Sequence, residues 1–229
     1  MPSWLIASIA LARSAGQSNC IAGLAVLVLW LGTGGLSSDT ASPVARPAAT
    51  KRIAPGTRPP DIPIAKVGLV SLRLPVDPDR LTAIAFHPVD NPQAVEMEPE
   101  GSLDHHQAAR NGRPGPERGA IDVGAAAGTP VYSPVDGEVA GLVPYVVQGQ
   151  IQGSQITINP IQANGYAVVI THIEARPDGV LPPVGTAVTS GVTVLGQIRD
   201  FVGIEQELAQ FTSDSGNHVQ IAVIRTPIR

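Results

Sequence analysis

Twenty-four glycines and 22 prolines punctuate 229 residues, and that density sets the tightest limit on what the chain can fold into. Proline removes an amide donor and glycine weakens a helix interior, so long helices are disfavoured. Between the punctuation stand short β-prone pieces: LTAIAFHPVDN (81–91), AIDVG, GTPVYSP, DGEVAGLVPYVV, QITINPI, GYAVVITHI, VGTAVTSGVTVLGQI and HVQIAVI. Their spacing predicts an all-β domain from about residue 80 to the last residue. GTPVYSPVDGEVAGLV and VGTAVTSGVTVLGQI each place a valine after a Gly-Thr pair and a turn before another apolar run. This pairing predicts an antiparallel β-sandwich or flattened barrel with two similar halves. One short helical piece is expected at IEQELAQF (204–211), where Ile204, Leu208 and Phe211 recur at helical spacing and can cover a sheet edge.

Composition changes along the chain. No charge falls between Arg13 and Asp39, and CIAGLAVLVLWLGTGGL fills the middle of that gap. About 20 residues are needed to span a bilayer as a helix, so residues 1–38 are read as a signal peptide or signal anchor. Residues 39–66, mixing Pro, Ala, Thr and positive charge without period, read as an extended linker. Residues 67–229 are then the β domain with an N-terminal extension. Either reading of residues 1–38 places that domain outside the cytoplasm, secreted or membrane-anchored.

Several function classes are excluded or weakened. A formal charge of -4 gives no electrostatic reason to expect nucleic acid. The single cysteine, Cys20, cannot form an internal disulfide. A biotinyl or lipoyl carrier needs a lysine at a hairpin tip, and Lys51 and Lys66 both precede the β region. No phosphate loop or dinucleotide fingerprint occurs.

The polar residues inside β-prone pieces are the candidates for chemistry. His218 and Gln220 share one face of the HVQIAVI strand, forming either a polar groove floor or a solvated face over Val219, Ile221 and Val223. His172 ends the alternation of VVITH, and Asp122 sits centrally in AIDVG. His87 precedes a proline and is read as structural or surface. Asp136 is assigned to Asp-Gly turn chemistry.

The run RGAIDVGAAAGTPVYSPVDGEVAG, followed by GYAVVITHI, VGTAVTSGVTVLGQI and GNHVQIAVI, resembles the lysostaphin-like, LytM-type zinc endopeptidases of bacterial cell walls, a duplicated hybrid motif. The resemblance covers roughly residues 117–225. It implies an antiparallel β domain with a groove for peptidoglycan peptides. It also implies a first motif of His, three residues and Asp, and a last motif of His, one residue and His, which with a further histidine hold zinc and assist catalysis. Carried over residue by residue, the family Asp falls on Asp122, the first histidine on Arg118, and the last motif on His218 and Gln220. His172 matches the remaining histidine.

Only one of the three implied ligands, Asp122, is therefore of ligand type. Arg118 has no lone pair to offer, and Gln220 offers at best a neutral carbonyl oxygen. A hydrolytic zinc needs three protein ligands and an open position for water. The expectation is thus an extracytoplasmic, peptidase-like domain without cofactor and without catalysis, in which Arg118, Asp122 and Gln220 line the former metal site and Arg118 pairs with Asp122. Its implied partner is peptidoglycan or a cell-envelope protein. The alternative is an active zinc metalloendopeptidase with a rearranged ligand set of Asp122, His105, His106 and His218, in which His218 and His172 serve catalysis. A purely structural envelope domain is the second alternative.

Overall fold

The computed structural model describes residues 61–109, 112–201 and 206–227, all within one unit, Arg52–Arg229. The expected signal or anchor, and the linker up to residue 60, lie outside the described residues. Among the described residues no helix is long and apolar enough to cross a membrane.

The strands follow in the order β1 (Pro63–Val67), β2 (Val70–Arg73), β3 (Ile84–His87), β4 (Glu98–Pro99), β5 (His106–Gln107), β6 (Ala120–Gly124), β7 (Pro130–Tyr132), β8 (Gly137–Val147), β9 (Gln150–Pro160), β10 (Tyr166–Glu174), β11 (Ala187–Val188), β12 (Val194–Ile198) and β13 (His218–Arg225). Helical structure among the described residues is limited to two 3₁₀ turns, Pro78–Arg80 and Glu207–Phe211. The protein is all-β, as its punctuation predicts. A three-stranded sheet runs β2-β1-β4, and a ten-stranded sheet runs β11-β8-β9-β10-β13-β6-β3-β5, with β12 bridging β10 and β7. Pairing is antiparallel except between β3 and β5.

Order begins earlier than the compositional change at Val67. Pro63–Val67 pairs with β2 and β4, and Ile64 and Ala65 are buried. The last residues of the expected linker therefore belong to the folded domain. Prolines at 59, 60 and 63 mask a strand whose Ile64, Ala65 and Val67 enter the core.

Alternation explains how the main sheet presents two faces. Ile84 and Phe86 of β3, Ile121 and Val123 of β6, and Val219, Ile221 and Val223 of β13 all enter one continuous core with Ile156, Ile158, Val168 and Ile170. Each such aliphatic side chain, once buried, contributes about 1.5–3 kcal/mol. The opposite face of the same three strands carries Ala85 and His87, Asp122, and His218 and Gln220. That face is itself covered near β3, where Leu208 and Phe211 of the second 3₁₀ turn pack on Ala83, Ala85 and Ala108. A side chain at Gly124 would meet Leu208 Cδ2 at 2.7 Å and Thr82 Oγ1 at 2.5 Å, so glycine there permits the cover to approach. Of the helical piece expected at 204–211, residues 204 and 205 lie outside the described residues, and Glu207–Phe211 forms a five-residue 3₁₀ turn that covers a sheet face.

The two similar Gly-Thr units lie against each other: β7 pairs with β12, and β11 pairs with β8. Asp136 Oδ1 accepts the Ser190 backbone N–H at 2.8 Å, tying the first unit's turn to the second's. Gly137 is not needed for a positive φ. It is needed because Asn159 O would stand 2.4 Å from its Cβ. Beyond this junction β8 and β9 form a long ribbon whose tip, Gln148 and Gly149, has φ of 50° and 77°. Two successive positive φ values suit the twist of a two-residue hairpin. Val146 and Ile151 are exposed along it.

Candidate functional site

Antiparallel register sets the site. Gln220 of β13 lies opposite Asp122 of β6 on one side and opposite Thr171 of β10 on the other. On the far side of β6, Asp122 lies opposite Ala85 of β3, which puts His87 one same-face step along. Thr171, Gln220, Asp122 and His87 therefore converge on the non-core face. The Gln220 amide nitrogen donates to Asp122 Oδ1 at 3.2 Å and stands 3.0 Å from His87 Nε2. Its carbonyl oxygen accepts from Thr171 Oγ1 at 3.4 Å. His87 Nε2 is 3.0 Å from Asp122 Oδ1. His218 Nε2 approaches the same oxygen at 3.6 Å.

This cluster is interior. His87 and His218 have no exposed surface, Asp122 has 1% and Gln220 9%. Buried polar groups at such depth need partners, and each imidazole is fixed by one. His87 Nδ1 lies 2.9 Å from the Pro88 carbonyl, and His218 Nδ1 lies 2.7 Å from the Gly216 carbonyl. A carbonyl can only accept, so each Nδ1 carries a hydrogen. When either ring is neutral its Nε2 lone pair faces Asp122. For His87 that lone pair receives the Gln220 amide hydrogen; when His87 is charged, its Nε2–H donates to the carboxylate instead. His218 Nε2 has no hydrogen-bond partner in the structure.

Aromatic rings close the site. His172 meets His218 edge-on at 4.7 Å, Phe201 stacks on His218 at 5.3 Å, and Tyr145 meets His172 at 5.0 Å. Thr171 already points toward Gln220, so simple alternation would send His172 into the core. Instead the β9–β10 register slips between Ile170 and Ile173, and His172 adopts φ of 66°. The bulge re-aims its ring over His218. A non-glycine residue in this region stores about 1–3 kcal/mol of strain and marks a position determined by its surroundings.

The other candidates are placed elsewhere. Arg118 donates from Nε to the Met97 carbonyl at 3.0 Å and pairs with Glu96 at 3.0 Å, with its side chain 39% exposed. The expected Arg118–Asp122 pair is replaced by His87–Asp122, because Arg118 precedes β6 and turns to the 96–97 segment. His105 meets Phe86 edge-on at 5.3 Å, and His106 stacks on Phe211 at 4.2 Å. Both are exposed, and β5 is separated from β6 by β3, roughly 10 Å at 4.8 Å per strand. The loop histidines thus do not join Asp122. His87, read from sequence as structural or surface, does. Thr171, Tyr145 and Phe201 were not singled out by sequence either. Alternation in IAFH, with Ile84 and Phe86 as core, is the signal that puts His87 on a second face.

The resemblance implies zinc, and the donor set can be tested against it. Ligands on a tetrahedral zinc with bonds of 2.0–2.1 Å stand about 3.3 Å apart. The separations of 3.0 and 3.6 Å from Asp122 Oδ1 to the two imidazole nitrogens bracket that value. Yet the Gln220 amide nitrogen, a donor with no lone pair for a metal, stands against two of the three atoms. With Gln220 so placed the residues do not fit zinc. Among the described residues no group of three His, Cys, Asp or Glu side chains is arranged to hold an ion.

No family model and no curated protein matches the chain. Among solved structures it is similar to Csd3 of Helicobacter pylori, at 20% identity and a TM-score of 0.36, over 67% of this chain and 30% of that one. It is similar to pseudoalterin, described as an M23 metalloprotease from the deep sea, at 15% identity and a TM-score of 0.37, over 69% of this chain and 72% of that one. A zinc-containing peptidase from Vibrio cholerae aligns at 18% identity and a TM-score of 0.32, over 63% of this chain and 37% of that one. The chain therefore spans well under half the length of Csd3 and of the Vibrio peptidase.

Proposed function

We propose that this chain is an extracytoplasmic, peptidase-like domain that binds peptidoglycan peptides without cleaving them. One observation carries the non-hydrolytic part of the reading: the Gln220 carboxamide satisfies His87 and Asp122 in the interior, where a hydrolase needs a metal and an open position for water. A cation neutralises the lone pairs of its ligands, and here amide hydrogens do so. The sequence resemblance supports the choice of ligand, and the ribbon of β8 and β9, with Tyr145 beside His172, supplies a rim along which an extended peptide can lie. The uncharged stretch at residues 14–38 supports a place outside the cytoplasm.

The test uses purified sacculi. The chain is expected to co-sediment with them, to compete with soluble stem peptides, and to release no new amino termini with or without added zinc. A chain that stays in the supernatant at all loads is a structural envelope domain. Metal-dependent release of amino termini would establish the metalloendopeptidase reading, which the convergence of His87 and His218 on Asp122 favours among the alternatives.

A further inference from the structure

We propose that Arg199 is the recognition point for a carboxylate of the bound peptide, at the edge of the aromatic cluster of His172, Phe201 and His218. The inference rests on the proposed function and adds to it the group by which the ligand is held. Four arginines among the described residues are half-buried: Arg73, Arg118, Arg176 and Arg199. The first three each hold a carboxylate, of Asp61, Glu96 and Asp178, at 3.0, 3.0 and 2.9 Å. Arg199 pairs with no carboxylate among the described residues. Its neighbour Asp200 is exposed, and Glu174, one strand across, accepts from Gln197 Nε2 at 3.0 Å.

The guanidinium is nevertheless held in place. The Arg199 backbone N–H donates to the His172 carbonyl at 3.1 Å, which sets Arg199 beside the bulged residue. Its Cζ stands 5.5 Å from the centre of the Phe201 ring, a distance at which a ring face attracts a cation. That ring is itself fixed, since Phe201 is buried, stacks on His218 and donates its backbone N–H to Asn217 Oδ1 at 2.9 Å. Arg199 Nη1 donates to Gln152 Oε1 on β9. The remaining guanidinium hydrogens have no acceptor among the described residues. Arginine presents five N–H donors in a planar fork that matches a carboxylate through two parallel bonds. No Asp, Glu, Lys or Arg falls between Glu138 and Glu174, so the ribbon and the His172 end of β10 bring no charge that competes for the fork. A peptide lying along the ribbon beside Tyr145 and His172 reaches this cation with a carboxylate.

The probes are three forms of one soluble stem peptide: all carboxyls free, only the C-terminal carboxyl amidated, and only the other carboxyls amidated. Binding to the 229-residue chain is measured by calorimetry at low and at physiological salt. The free form is expected to bind roughly 10-fold more tightly than one of the amidated forms, the gain typical of hydrogen bonds to a charged group. Salt should narrow that gap. Whichever amidation weakens binding identifies the carboxylate that is held. Arg199→Gln should bind all three forms alike, and Arg199→Lys should keep part of the gap, because an ammonium carries the charge without the fork. Arg176→Gln, which loses only the pair with Asp178, should leave the gap unchanged. The gap is read first on the unaltered chain and so depends on the folding of no variant. Equal binding of the three forms to that chain overturns the carboxylate site and leaves the proposed function standing. A gap that survives in folded Arg199→Gln overturns the assignment to Arg199. Failure of every form to bind overturns the inference as well, and co-sedimentation with sacculi then decides separately whether the proposed function stands.

Discussion

Gln220 Nε2 stands 3.0 Å from His87 Nε2 and 133 residues from it in sequence, a contact made wholly in the interior. The amide joins β13 to β3 across β6 and orients the carboxylate between them. Its importance is chemical as well as structural, since its amide hydrogens face the lone pairs of both His87 Nε2 and Asp122 Oδ1.

Replacing Gln220 by glutamate keeps the shape and removes the donor. A second carboxylate would then face Asp122 with both groups almost fully buried. An uncompensated buried charge costs about 3–5 kcal/mol. Gln220→Glu is therefore expected to lose that much stability in urea denaturation at neutral pH, with an unchanged slope against denaturant.

His87 and Arg118 should separate cleanly. His87→Ala leaves Asp122 buried without its imidazole and opens a void, for a loss of about 3–5 kcal/mol. Arg118 pairs with Glu96 at a partly exposed site, the two side chains being 39% and 41% accessible. Such pairs contribute about 0–1 kcal/mol. Equal losses for the two variants would contradict the assignment of His87, and not Arg118, to Asp122.

The positive φ of His172 makes a test of side-chain shape. Asparagine tolerates the left-handed region, whereas a β-branched residue does not. His172→Val is thus expected to be less stable than His172→Asn by about 1–3 kcal/mol, measured by thermal unfolding. A reversed order would mean that the bulge is not retained in solution.

Gly137→Ala tests the junction of the two similar units. Its Cβ would meet backbone at 2.4 Å, Asn159 O, so β8 and β9 must separate. The cost is expected to be about 1–3 kcal/mol, as for overpacking.

The sheet was legible because its signal is local. In AIDVG and HVQIAVI each apolar residue of the strand core faces one way and the polar residues the other, and the chain needs no long-range information to announce this. The meeting of Asp122 with Gln220 was also legible, through the resemblance, as two positions of one site. Their neighbour His87 was not, because β3 joins β6 by a register that no residue in AFHPVDN declares, and the proline after it reads equally well as a surface turn. Arg118 misled for the converse reason. It lies four residues before Asp122, yet the chain enters β6 only at Ala120, so the preceding residues are free to turn toward Glu96 and Met97. Pro63 hid β1 in the same manner, since proline composition signals a linker while the burial of Ile64, Ala65 and Val67, with a register shift between Pro63 and Ala65, depends on β2 and β4 being present. His172 required a bulge that shifts a face by one residue, and such a slip leaves no mark in the pattern of VVITH.

The central claim is that a carboxamide takes the place of an ion, and metal content measures it most directly. The 229-residue chain, purified from zinc-supplemented cultures without chelator and assayed by plasma mass spectrometry, should carry no stoichiometric zinc, iron, nickel or cobalt. One tightly held equivalent, lost on His87→Ala, would contradict the account.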